Sequence, residues 1–217
     1  NAAEFRSRKI VPAEKETVLP GAGINLERYP YVPYPENQVM HFLYLGRLMK
    51  EKGIDELFAA MERLHEKGGS SVILDLVGFY DDESYKGQVE RLVARGIAVN
   101  HGFQTDPLPY YAAADCVVLP SYHEGMSNVL LEAAAVGRPV ITSDIPGCRE
   151  AVEDGKTGLL CRARDTGSLY EKMRRMACAS FAERQSMGQA AHEKMVREFD
   201  KRRVISATLS AAFGAAK

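Results

Sequence analysis

At 217 residues, with 46% hydrophobic and 26% charged side chains, the chain is long enough to bury a full core and has the composition of an ordinary folded domain. Its 28 Lys and Arg against 29 Asp and Glu leave no positive excess to hold a phosphate polymer, which argues against a nucleic-acid partner and leaves anion binding to local charge. No apolar run approaches the roughly 18 residues that span a bilayer, the start 1–6 has no signal-like core, and the four cysteines form no C-x-x-C pair, so a reducing cytoplasm is expected.

Residues 1–39 carry Pro12, Pro20, Pro30, Pro33 and Pro35 with Gly21 and Gly23, which predicts an extended, turn-broken lead-in of the kind that connects domains. The start at Asn1 in place of Met reads as a sequence that begins mid-protein. From Met40 short apolar runs alternate with helical periods. Strands are predicted over Met40–Leu45, Val72–Val77, Ile97–Val99, Cys116–Leu119 and Pro139–Thr142, and helices over Ile54–Lys67, Ser84–Ala94, Leu108–Ala113 and Asn128–Val136. This βα alternation calls for an α/β fold, a Rossmann-like doubly wound parallel sheet. After Gly158-Leu159-Leu160 the pattern is helical over Ser168–Ala179, Phe181–Phe199 and Val204–Phe213. The chain therefore divides into a lead-in at 1–39, a ligand-binding domain at 40–180 and C-terminal helices at 181–217. Arg162 to Arg203 holds eleven basic residues against six acids, which fits a solvated helix face better than an anionic membrane patch.

Three segments carry chemistry. Glu124-Gly125-Met126-Ser127-Asn128-Val129-Leu130-Leu131-Glu132 follows a strand and opens a helix, so the amides of Met126 to Val129 are expected free at a helix N-terminus, a site for a diphosphate. Gly125 lets backbone approach closely, and Ser127 or Asn128 either caps the helix or touches the ligand. Glu132 falls on the face of Asn128, where a carboxylate can accept from vicinal hydroxyls such as those of a ribose. Gly46-Arg47-Leu48-Met49-Lys50-Glu51-Lys52-Gly53 places a forked guanidinium and a compact ammonium at a strand end, suited to neutralising a departing phosphate. Asn100-His101-Gly102-Phe103-Gln104 follows a strand at the carboxyl edge, where Phe103 either stacks on a base or packs under its loop and the backbone near Gln104 can read a base edge. No metal-ligand spacing accompanies His101 or His123, and no metal or cofactor is expected.

With Ala114-Asp115-Cys116-Val117-Val118-Leu119-Pro120-Ser121, Gly137-Arg138-Pro139-Val140-Ile141-Thr142, Gly147, Glu150 and Gly155-Lys156-Thr157-Gly158 added to these, the segment 46–160 resembles the C-terminal domain of retaining GT-B glycosyltransferases of family 4, a group that makes bacterial capsule, lipopolysaccharide and phosphatidylinositol mannosides. The resemblance implies hexosyl transfer from a nucleotide-sugar, UDP-linked rather than GDP-linked, to a saccharide or lipid-linked acceptor with retention and without a metal. It implies that Arg47 and Lys52 hold the diphosphate, Glu132 the ribose, the amides of Met126–Val129 the distal phosphate and sugar, and Glu124 a sugar hydroxyl. It further implies an N-terminal acceptor domain in the full-length protein, against which helices 181–213 would pack, and either a cytoplasmic or a peripheral membrane location. Leu19–Asn25 resembles the family's interdomain segment with Asn25 where Asp is usual. The competing readings are a sugar-nucleotide 2-epimerase of the same architecture, which is not expected to carry the E-x7-E element, and a non-catalytic nucleotide-sugar-binding module.

Overall fold

A computed structural model describes residues 6–8, 21, 23–68 and 72–213 of the chain; residues 1–5, 9–20 and 22 of the predicted lead-in lie outside the described residues. Six strands form one parallel sheet: β1 (Met40–Leu45), β2 (Val72–Val77), β3 (Ala98–Gly102), β4 (Cys116–Leu119), β5 (Val140–Ser143) and β6 (Gly158–Cys161), in the order β3-β2-β1-β4-β5-β6. The chain winds outward from β1 to β3, then returns to β4 and winds outward to β6. The direction thus reverses between β1 and β4, where open α/β sheets leave a crevice at the carboxyl ends of their strands.

β4 and β5 are buried along their whole length, as expected of strands covered on both faces. Helices α1 (Ile54–Gly68), α2 (Lys86–Ala94), α3 (Leu108–Ala113), α4 (Asn128–Ala135), α5 (Thr166–Cys178), α6 (Phe181–Lys194) and α7 (Lys201–Phe213) flank the sheet or close the chain. α1 lies against α5, where the Arg63 guanidinium sits 3.9 Å over the Tyr170 ring, and α4 lies against α6. Cys116, Cys148 and Cys161 are buried as free thiols, and Cys178 is exposed.

Three expectations shift. β3 is not Ile97–Val99 but Ala98–Gly102, with a register slip opposite Leu76/Val77; polar Asn100 and His101 fit in a strand because it is a sheet edge. β6 adds a sixth strand over Gly158–Cys161, made by pairing with β5 from Val140↔Gly158 to Ser143↔Cys161 rather than by a strong local pattern. The helix expected over Phe181–Phe199 ends at Lys194, followed by a π turn, Met195–Phe199.

One buried cation ties the lead-in to the sheet. The wholly buried Arg138 donates through Nε to the Tyr111 carbonyl (2.9 Å), through Nη1 to Val32 (3.1 Å) and Gly137 (3.0 Å), and through Nη2 to Pro33 (2.9 Å) and Ala112 (3.0 Å). Burial pushes its pKa down to about 10. Buried Asp115 accepts from the His41 amide (2.8 Å) and from Asn37 Nδ2 (2.9 Å). Both motif residues therefore hold the frame. Asn25 does what an Asp would, its Oδ1 accepting from the amides of Glu27 (3.0 Å) and Arg28 (3.4 Å).

Candidate functional site

The loops after β1 and β4 meet at the point of reversal. Beyond β1 the buried Tyr44 hydroxyl donates to the Arg47 carbonyl (2.5 Å), fixing the turn that starts at Gly46. A 3₁₀ turn, Lys50–Lys52, ends at Gly53 with φ 72°, where a Cβ would stand 2.2 Å from the Pro120 carbonyl oxygen. Only glycine lets the two loops touch there, and the contact brings Lys52 to Glu124. Lys52 Nζ lies 2.6 Å from Glu124 Oε1, with the side chains only 21% and 13% exposed. The Ser121 hydroxyl donates to the same Oε1 at 2.8 Å.

On the other side of this loop, Gly147 (φ 89°) packs so closely that a Cβ would lie 2.2 Å from the Gly125 oxygen and 2.5 Å from that of Glu124. The Gly147 carbonyl takes the Ser127 amide (3.2 Å), so Ser127 N–H is not free as expected. Among the described residues nothing accepts from the amides of Met126, Asn128 and Val129, the remaining three of the predicted four. Neither Ser127, the residue before α4, nor Asn128, its first residue, caps the helix through its side chain; Ser127 is buried and Asn128 exposed. Among the described residues, no atom outside its two chain neighbours lies within 4 Å of a Cβ position on Gly125, so that side of the glycine is open although its carbonyl packs on Gly147. Met126 is covered by Gly21 of the lead-in, where a Cβ would come 2.9 Å from Met126 Cγ.

Glu132, on the next turn of α4, accepts from the Tyr111 hydroxyl at 2.9 Å. Burial holds its carboxyl above the ordinary carboxylate range, offset in part by hydrogen bonds from Tyr111 and Tyr29 and by the charge of Arg28. Arg47 is half-exposed and turned to Asp81, 3.4 Å away, rather than to Lys52 or Glu124. Phe103 is 64% exposed, so it does not pack under its loop; its ring meets that of exposed Phe79 edge-on at 6.1 Å. Gln104 turns its amide to the His101 carbonyl (2.8 Å).

The structure thus gathers Lys52, Glu124, Gly125 and the start of α4, sets Glu132 one turn on, and leaves Arg47 and Phe103 on neighbouring loops. Sequence reasoning assigned no role to Ser121, Tyr111, Tyr29, Phe79 or Asp81. Ser121 ends a motif run and Tyr111 lies in a predicted helix, but their partners are 3 and 21 residues away and only the fold pairs them. His101 is structural: its Nε2 and the Nδ1 of His41 lie 2.7 Å from the two oxygens of Asp75. Among the described residues no group of three or more His, Cys, Asp or Glu is placed to hold a metal ion.

The profile of the family described as "Glycosyl transferases group 1" matches residues 40–178. The chain is 34% identical over 200 residues to a glycogen synthase of Mycobacterium tuberculosis, covering 91% of this chain and 48% of that protein. It superposes on sucrose-phosphate synthase of Thermosynechococcus elongatus with TM-score 0.78 at 28% identity, over 99% of this chain and 57% of the other. On Anabaena HepE in complex with UDP the TM-score is 0.80 at 22% identity, over 94% and 60%. The chain spans about half the length of the curated relatives it matches. The profile match, and a site built where the sheet reverses direction, place this chain in the group 1 glycosyltransferase family.

Proposed function

We propose that the chain binds a UDP-sugar and forms the donor half of an enzyme that transfers a hexosyl residue, with retention, to a saccharide or lipid-linked acceptor. One observation carries this reading: an ammonium, a carboxylate and, among the described residues, three unpartnered amides stand together around Gly125 at the carboxyl edge of the sheet. Cations and amides suit a diphosphate, and carboxylates suit the hydroxyls on either side of it. The UDP held by the structurally similar HepE supports the choice of nucleotide.

In this reading Lys52 and the amides of Met126, Asn128 and Val129 hold the diphosphate, and Arg47 leaves its weak contact with Asp81 to join them. Glu132, oriented by the Tyr111 hydroxyl, takes the ribose hydroxyls, and Glu124 takes a hydroxyl of the sugar. Phe103 offers the base a face and the Gln104 backbone an edge. The bond from the anomeric carbon to the phosphate oxygen breaks while the acceptor oxygen bonds to that carbon on the same face. The acceptor's proton passes to the departing phosphate oxygen, and its negative charge is stabilised by Arg47, Lys52 and the amides, so no protein nucleophile and no metal take part.

The acceptor is taken by a second half of the enzyme, N-terminal by the family resemblance; this chain covers 48% of the glycogen synthase it matches. The exposed Ile205, Leu209 and Phe213, spaced four apart on α7, form the apolar stripe which that half covers. With a lipid-linked acceptor the enzyme works as a peripheral protein at the cytoplasmic face of the membrane; no described helix is long and apolar enough to cross one.

The test is transfer by the full-length protein from a UDP-sugar labelled with ¹³C at the anomeric carbon, with the product linkage read by NMR. Retention is expected; an inverted linkage overturns the mechanism, and conversion of the sugar nucleotide to its 2-epimer without transfer overturns the reaction class.

A further inference from the structure

We infer that Ser121 is a positioning residue for the donor sugar, and that Glu124 meets that sugar through Oε2. The inference rests on the donor reading above. Ser121 follows β4 directly, after Pro120, and is wholly buried, so its hydroxyl cannot touch a donor itself. It donates at 2.8 Å to Glu124 Oε1, the oxygen that also takes Lys52 Nζ at 2.6 Å.

Two donors occupy both lone pairs of Oε1, whereas among the described residues nothing donates to Oε2. The terminal torsion of a glutamate is otherwise soft. Held from two loops, the carboxylate plane is set, and Oε2 keeps both lone pairs for the ligand. Lys52 has three N–H groups and spends one on Glu124, so the same ammonium can reach a phosphate oxygen without releasing the carboxylate. Lys52 can therefore serve the diphosphate whether or not Ser121 holds the carboxylate, and Ser121 bears on the sugar side alone.

If Ser121 acts through Glu124 on the sugar alone, its loss separates the nucleotide from the sugar. Calorimetry of the chain with UDP, UDP-glucose and UDP-N-acetylglucosamine tests this on wild type, Ser121→Ala and Ser121→Thr, with Ser121→Cys, near in size and a poor donor, if the alanine variant does not fold. Ser121→Ala is expected to keep its affinity for UDP within about twofold and to lose about tenfold for whichever UDP-sugar wild type binds most tightly, the scale of one hydrogen bond to a charged group. Ser121→Thr, which keeps the hydroxyl, restores it. Equal losses for UDP and UDP-sugar, or no loss for either, overturn the assignment, as does a wild type that binds no UDP-sugar more tightly than UDP. A folded wild type that binds neither overturns the donor reading itself, and the role of Ser121 falls with it.

Discussion

Replacing Arg138 by Met keeps much of the side chain's apolar bulk and removes its five hydrogen bonds, leaving the carbonyls of Tyr111, Val32, Gly137, Pro33 and Ala112 facing an apolar neighbour. The bonds to Tyr111 and Gly137 are the fully buried ones, and each buried carbonyl left unpaired costs about 1–3 kcal/mol. Relieving the desolvation of the guanidinium, the same burial that lowers its pKa, offsets part of this. The net loss is about 3 kcal/mol, since what remains is unpaired neutral carbonyls rather than an unpaired charge. In a chain of this size that is a fall in Tm of roughly 10 °C. Arg138→Lys should lose nearly as much, because an ammonium has three donors and no fork to span carbonyls on α3, the lead-in and the Gly137 turn. Urea denaturation of both variants gives the number. An unfolding free energy for Arg138→Met within about 1 kcal/mol of wild type would refute the claim that this guanidinium fastens the lead-in.

Gly147→Ala should cost about 2 kcal/mol and weaken nucleotide binding as well, because the new Cβ at φ 89° strikes the backbone of Glu124 and Gly125; parallel melting and titration check it. The pH dependence follows from Asp75. Burial raises its pKa, but the hydrogen bonds from His41 and His101 outweigh it and hold the carboxyl below the ordinary value, so its contribution is present above the unfolded pKa and fades as pH falls through the folded one. The hydrogen bond to Asp75 raises the pKa of His41, so that contribution is complete below the unfolded value of about 6.5 and fades as pH rises through the folded one. The stability lost in Asp75→Asn should therefore be larger at pH 5.5 than at pH 8.5 by urea titration. Of the four thiols Cys178 alone should react rapidly with a thiol reagent, whereas Cys148, which burial pushes up to about 11, and the buried Cys116 and Cys161 should react only on unfolding.

Much of the fold could be read from local pattern, and the reasons differ by element. β1, β2 and β4 appear where their apolar runs predict because the strands are buried and each run stands alone between breakers. β3 slips by a few residues because an edge strand accepts Asn100 and His101, which give no apolar signal, and β6 was missed because Gly158–Cys161 is a strand only beside β5. The same division holds in the site. Glu124, Lys52 and Glu132 stand out by residue type and spacing, but what each one touches is set at long range. The capture of the Ser127 amide by Gly147, the aiming of Tyr111 at Glu132 and the pairing of Arg47 with Asp81 depend on loops that meet only once the sheet is built. Arg138 carries no local mark of its five partners.

We propose above that this chain holds a uridine nucleotide at the start of α4. The direct measurement is calorimetric titration with UDP and GDP of wild type, Arg47→Ala and Glu132→Ala, each checked to be folded. UDP is expected to bind in preference to GDP, and each substitution to weaken UDP by about tenfold or more. A folded wild type that binds neither nucleotide, or UDP binding unmoved by both substitutions, would contradict the proposal.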